Sequence, residues 1–148
     1  MNVNLDWLES FTDPYIKKPI GKSMFLSGVV LGFIASCQNG RGSQINKAPL
    51  FKKMTFGKLQ KRDLKRHLSE VPTLLKVYDI PYTIHITELT RLAGDYLLQS
   101  TEDMGVDGNF IYSTAFLNAW TYFYQIFPEI KSNTKPSEEK NNELQESA

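Results

Sequence analysis

Residues 24–37 read MFLSGVVLGFIASC, fourteen positions without a charged side chain. A helix that crosses a bilayer needs about 20 such residues, so this run predicts a helix buried inside a soluble body. Gly28, Gly32 and Ser36 recur every four residues and put small side chains on one stripe, which lets another helix approach closely. The string Asn39-Gly40-Arg41-Gly42-Ser43 supplies residues that tolerate left-handed backbone, so the helix is expected to end there in a flexible loop.

On the C-terminal side the pattern stays helical. Ala48-Pro49-Leu50-Phe51 suits a short helix with proline in its first turn and Lys52-Lys53 at its dipole-favoured end. Residues 58–68 (KLQKRDLKRHL) predict a second helix. On it Lys58, Lys61, Arg62, Lys65 and Arg66 fall within an arc of about 140°, beside Leu64 and Leu68. His67 extends that basic face as a phosphate-facing or solvated group. Ser69 is the expected cap of a helix over 70–78 with Val71, Leu74 and Leu75 inward. From Thr83 to about Ser100, Ile86, Leu89, Leu92, Ala93 and Tyr96 keep helical spacing. Met104 to Asn109 reads as a turn, and Asp107 as the cap of one last helix carrying Phe116, Trp120, Phe123 and Phe127. Those aromatics are expected in the core, since base-stacking platforms stand among basic residues and this segment has few. From Pro128 the chain turns polar, which predicts a disordered tail. The reading is an all-α bundle of about five or six helices: an N-terminal segment 1–21, a helical domain 22–128 and a tail 129–148.

A chain of 148 residues has room for one modest core. A single cysteine, Cys37, excludes a disulfide framework and a multi-cysteine zinc site and suits a cytoplasmic location. The first residues, with Asp6 and Glu9, do not read as an export signal. Phosphate-binding glycine loops, HExxH and GxSxG are absent. His85 and Glu88 stand at i, i+3, but a carboxylate-bridged metal site repeats that pair on another helix and this chain does not. A non-enzymatic binding module without cofactor or metal is expected.

The net charge of +1 conceals a division. Residues 17–66 carry 12 basic side chains against one acid, Asp63, whereas residues from His67 onward carry 5 basic against 12 acidic. So dense a positive segment calls for an anionic neighbour: polynucleotide phosphate, an acidic protein or an anionic membrane. An adaptor docking on an acidic partner is the competing reading. A membrane role ranks last, because the 24–37 run has no basic amphipathic face.

The ordered succession Phe25-Leu26-Ser27-Gly28, Gln38, Pro49-Leu50-Phe51-Lys52-Lys53, Lys61-Arg62-Asp63-Leu64-Lys65-Arg66 and Gly94-Asp95-Tyr96-Leu97-Leu98 resembles the C-terminal helical region of the large subunit of type I-B CRISPR Cascade complexes, over residues 22–127. Where that family opens its last helix with a serine and a glutamate three residues on, this chain has Val106-Asp107-Gly108-Asn109. Such regions are also made separately, from an internal start, as the complex's small subunit, and a short chain beginning with methionine just upstream looks like that product. The resemblance implies a non-catalytic subunit, present in several copies with crRNA-bound backbone subunits and the large subunit, that helps hold target and non-target DNA in an R-loop. The residues expected to meet DNA or RNA backbone are Arg41, Lys47, Lys52, Lys53, Lys58, Lys61, Arg62, Lys65 and Arg66. Base pairing reads the sequence in such complexes, so only phosphate contacts are required of the protein.

Overall fold

The apolar run forms the axis of the molecule. In the computed structural model, which describes residues 3–38 and 44–130, helix α1 spans Pro19–Gln38. Proline at its first position gives up only an amide that has no partner within the helix. The helix is therefore 20 residues long, extended at both ends beyond the apolar run, and by length and composition it could cross a bilayer. Length does not separate the two readings; burial does, because 83% of its most apolar 18-residue window is enclosed by the rest of the chain. The expected loop at 39–43, with Arg41, and the polar tail from 131 onward lie outside the described residues.

Six further α-helices follow, and no strand occurs among the described residues: α2 (Pro49–Lys53), α3 (Lys61–Ser69), α4 (Val71–Val77), α5 (Thr83–Gln99), α6 (Gly105–Leu117) and α7 (Ala119–Ile126). The all-α bundle read from the sequence is the fold. α5, α6 and α7 pack on α1. The small-residue stripe sets the α1–α6 crossing: a Cβ at Gly28 would lie 2.7 Å from the Tyr112 carbonyl oxygen, and one at Gly32 would lie 2.8 Å from Phe116 Cα. Ser23 ties α1 to α5, its hydroxyl donating to the Ala93 carbonyl at 2.8 Å. Ahead of α1, Leu8, Tyr15 and Ile16 are buried; the Asn4 N–H donates to the Ile126 carbonyl and Trp7 stacks on Tyr122, so Asn4 and Trp7 are packed against α7.

Several element boundaries differ from expectation, each for a local reason. The helix expected over 58–68 starts at Lys61: Gly57 (φ +86°) makes a turn closed by Lys58 N–H to the Thr55 carbonyl, and extended Gln60 is the cap. Asp63 accepts the Gln60 N–H at 2.9 Å and fixes that start. Ser69 does not cap α4; its hydroxyl donates to the Arg66 carbonyl at 2.7 Å, and Glu70 is the cap residue of α4. That helix ends in a Schellman closure, with Ile80 N–H to the Leu75 carbonyl and Asp79 N–H to the Lys76 carbonyl, which places Asp79 in the left-handed region at φ 52°. The last helix begins at Gly105, two residues before Asp107: Met104 is its cap residue, and its carbonyl accepts the Gly108 N–H at 2.9 Å. It also divides at Asn118, whose side chain donates back to the Thr114 carbonyl. Phe116, Phe123 and Phe127 are core, and Trp120 stacks on Phe33 with centroids 4.9 Å apart. Packing continues to Ile130, the last described residue, which is buried.

Candidate nucleic-acid interface

Residues 47–66 cross the bundle as a belt with an apolar inner side and a basic outer side. Inner anchors recur along it: Leu50, Met54, Leu59 and Leu64 are all buried. Gln38, at the end of α1, accepts the Leu50 N–H at 2.8 Å and starts α2 against the bundle. Phe51 and Phe56 pack on each other and on Phe116 of α6, and the Tyr112 hydroxyl meets Met54 Sδ at 3.3 Å. Asn109 of α6 makes the firmest link. Its carboxamide accepts the Leu59 N–H at 2.9 Å and donates to the Leu59 carbonyl at 3.0 Å, satisfying both backbone groups of a buried residue.

The cations stand on the outer side. Lys47 (in the short turn Ile45–Lys47), Lys52 and Lys53 (α2), Lys58 (in the turn before α3) and Lys65 (α3) are exposed and pair with no carboxylate among the described residues. Arg62 and Arg66 share one carboxylate, Asp63, at 4.0 and 3.7 Å, with guanidinium side chains 82% and 60% exposed. Lys61 differs from the rest: it is half-buried and its ammonium donates to the Ser100 carbonyl at 2.8 Å. Its N–H donates to Asp103, and this bond with that from Met104 holds the Asp103 carboxyl below the usual carboxylate range. Lys61 therefore joins α3 to the segment before α6, while its neighbours face water. Arg41 lies outside the described residues.

His67 is the clearest departure from expectation. It is 5% exposed, beneath the belt, and its Nδ1 has no hydrogen-bond partner. Burial, followed by the charge of Arg66, pushes the imidazole pKa down; Lys53 acts in the same direction, and Glu70 and Asp63 oppose.

Three lysines counted with the belt in the sequence belong elsewhere. Lys17 lies 3.8 Å from Glu9, Lys18 lies 3.7 Å from Glu102, and the Lys22 ammonium donates to the Lys17 carbonyl. At the weighed metal pair, both Glu88 oxygens are taken by Arg91, which holds the Glu88 carboxyl below its ordinary value, and His85 packs edge-on against Phe127 at 4.8 Å. No group of three metal-ligating side chains occurs among the described residues. The sequence reading missed Asn109, which it placed in a turn; a lone amide inside the apolar stretch 108–117 was the available signal.

No curated protein and no solved structure matches the chain. Residues 2–112 match the model of the C-terminal domain of the CRISPR-associated protein TM1802, a span that includes α1, the belt and the first half of α6. The resemblance read from the residues is thus borne out at the level of a CRISPR-associated domain, and with three quarters of its length inside that match the chain belongs to the CRISPR-associated TM1802 C-terminal domain family.

Proposed function

We propose that this protein is the non-catalytic small subunit of a type I-B Cascade complex, and that the belt binds polynucleotide backbone without reading sequence, stabilising target DNA in an R-loop. The observation that carries this reading is the row of exposed cations at Lys47, Lys52, Lys53, Lys58, Arg62, Lys65 and Arg66, of which five pair with no acid among the described residues. Cations kept apart from carboxylates retain their full field for a phosphate chain, whose condensed counterions are released on contact. Membership of a CRISPR-associated family supports a crRNA-guided setting, in which base pairing supplies specificity. On this reading the partners are the crRNA-bound backbone subunits, the large subunit and both DNA strands, in the cytoplasm, with several copies in the assembly.

The test is a salt titration of DNA binding by the intact chain and by a Lys58→Glu/Arg62→Glu/Lys65→Glu variant. Each lost phosphate contact lowers the log–log salt slope by about 0.7–0.9, so the variant is expected to bind more weakly with a slope smaller by about 2–3. Equal affinity and slope in the two proteins would remove the belt from the mechanism and favour docking on an acidic protein.

A further inference from the structure

We propose that Asp63 sets the strength of the belt: its carboxylate competes with phosphate for Arg62 and Arg66 and holds polynucleotide affinity below what the cations alone would reach. The inference rests on the reading above that the belt binds polynucleotide backbone, and it assigns a role to the one acid the belt carries.

Asp63 is the single acidic side chain between Lys17 and Arg66. Its two oxygens do different things. Oδ2 accepts the Gln60 N–H at 2.9 Å, as part of the capping box that closes the first turn of α3. Oδ1 faces the two arginines, 4.0 Å from Arg62 Nε and 3.7 Å from Arg66 Nη1. The cap needs an acceptor, which an amide supplies as well as a carboxylate does. The contact with the arginines is a matter of charge.

That charge could help the belt by holding the guanidiniums in place, or hinder it by repelling phosphate, and the geometry decides between the two. Distances of 3.7 and 4.0 Å are too long for hydrogen bonds, and both guanidiniums stand mostly in water, so the pairs restrain the arginines weakly. The carboxylate itself is fixed by the Gln60 N–H and cannot turn away. A phosphate seated on either guanidinium comes within about 6–8 Å of Oδ1, where like charges in water repel by enough to weaken binding about two- to threefold. Repulsion therefore outweighs positioning. The belt divides accordingly into five lysines with no acid beside them among the described residues, at 47, 52, 53, 58 and 65, and an arginine pair that Asp63 holds in check.

The experiment measures binding of the full chain to a fluorescein-labelled DNA duplex between about 50 and 300 mM NaCl. Wild type is compared with Asp63→Asn, Asp63→Ala, Glu9→Gln, Arg62→Gln/Arg66→Gln and Arg62→Gln/Asp63→Asn/Arg66→Gln. Asp63→Asn is expected to bind about two- to fivefold more tightly at low salt, with an advantage that shrinks as salt rises. Glu9→Gln removes an acid beside Lys17, outside the belt, and should bind as wild type does. Without the two arginines, the change of Asp63 to asparagine should gain much less. Asp63→Ala should also bind more tightly, but with a lower thermal midpoint than Asp63→Asn, because the Gln60 N–H loses its acceptor; cap and charge are thereby read separately. Equal or weaker binding by Asp63→Asn, while loss of both arginines weakens binding, would overturn the role of Asp63 and leave the belt standing. A gain of the same size in Glu9→Gln, or with and without the arginines, would also overturn it, by reducing the effect to net charge. Binding that neither the arginine double variant nor Lys58→Glu/Arg62→Glu/Lys65→Glu alters would remove the belt and the role of Asp63 together.

Discussion

A histidine buried on the inner side of α3 has consequences that depend on pH. Unfolded, His67 takes up its proton near pH 6.5; folded, burial and the charges of Arg66 and Lys53 delay that uptake to lower pH. The unfolded chain therefore binds the extra proton first. The contribution of His67 to stability is complete above about pH 6.5 and is lost as the pH falls through the interval down to its folded value. Urea unfolding at pH 7.5 and pH 5 checks this: His67→Gln is expected to lose less stability between the two pH values than wild type does. An identical loss would mean that the imidazole is not the titrating group. Helical spacing alone would have placed this ring inside, but its basic neighbours led to the opposite expectation. Its neighbours Lys65 and Arg66 are exposed, whereas Leu64 and Leu68, at −3 and +1, put position 67 on the inner flank, a placement that the basic run around it obscured.

Elements were legible where one face repeats over several turns and illegible where a single polar contact sets the boundary. α5 follows its apolar period from end to end, and the Gly28/Gly32 stripe announced a close crossing that α6 fills. The start of α3 and the division at Asn118 coincide instead with side-chain bonds of Asp63 and Asn118, which no periodicity encodes. Asn109 is the most consequential of these contacts, because it couples α6 to the belt. Removing its carboxamide leaves the buried N–H and carbonyl of Leu59 without partners, a loss of about 1–3 kcal/mol. Asn118 also donates to the carbonyl four residues back but is exposed, and water replaces that bond. Denaturant unfolding is expected to separate the two: Asn109→Ala destabilises by about 1–3 kcal/mol, whereas Asn118→Ala changes stability by less than about 0.5 kcal/mol. Similar values for both would show that the Leu59 grip contributes nothing beyond an ordinary helix-surface bond.

At the scale of the whole molecule the same cations have two effects of opposite sign. A near-neutral chain that gathers unpaired lysines along Lys47–Lys65 presents a strong field to a polyanion, and in its absence it suffers repulsion among like charges on adjacent elements. The excess of basic residues before His67 was visible in the sequence. Its redistribution was not, because Lys17 and Lys18 find Glu9 and Glu102, and the latter is distant in the chain. What remains uncompensated is concentrated on the belt, and salt acts on it directly, since the screening length shrinks to about 10 Å at 0.1 M. Raising NaCl from about 50 to 300 mM should therefore increase the thermal midpoint of the free protein while weakening its grip on DNA. Replacing Lys58, Arg62 and Lys65 with glutamine should raise the midpoint at low salt and flatten both responses. A midpoint that falls as salt is added would mean that the exposed pairs of Arg91 with Glu88 and Asp95, and of Lys17 and Lys18 with their acids, outweigh the repulsion. The belt would then be electrostatically quiet without its ligand. If stability and affinity instead respond to salt in opposite directions, and three substitutions flatten both responses, one set of side chains accounts for the strain in the free protein and for its relief when phosphate is bound.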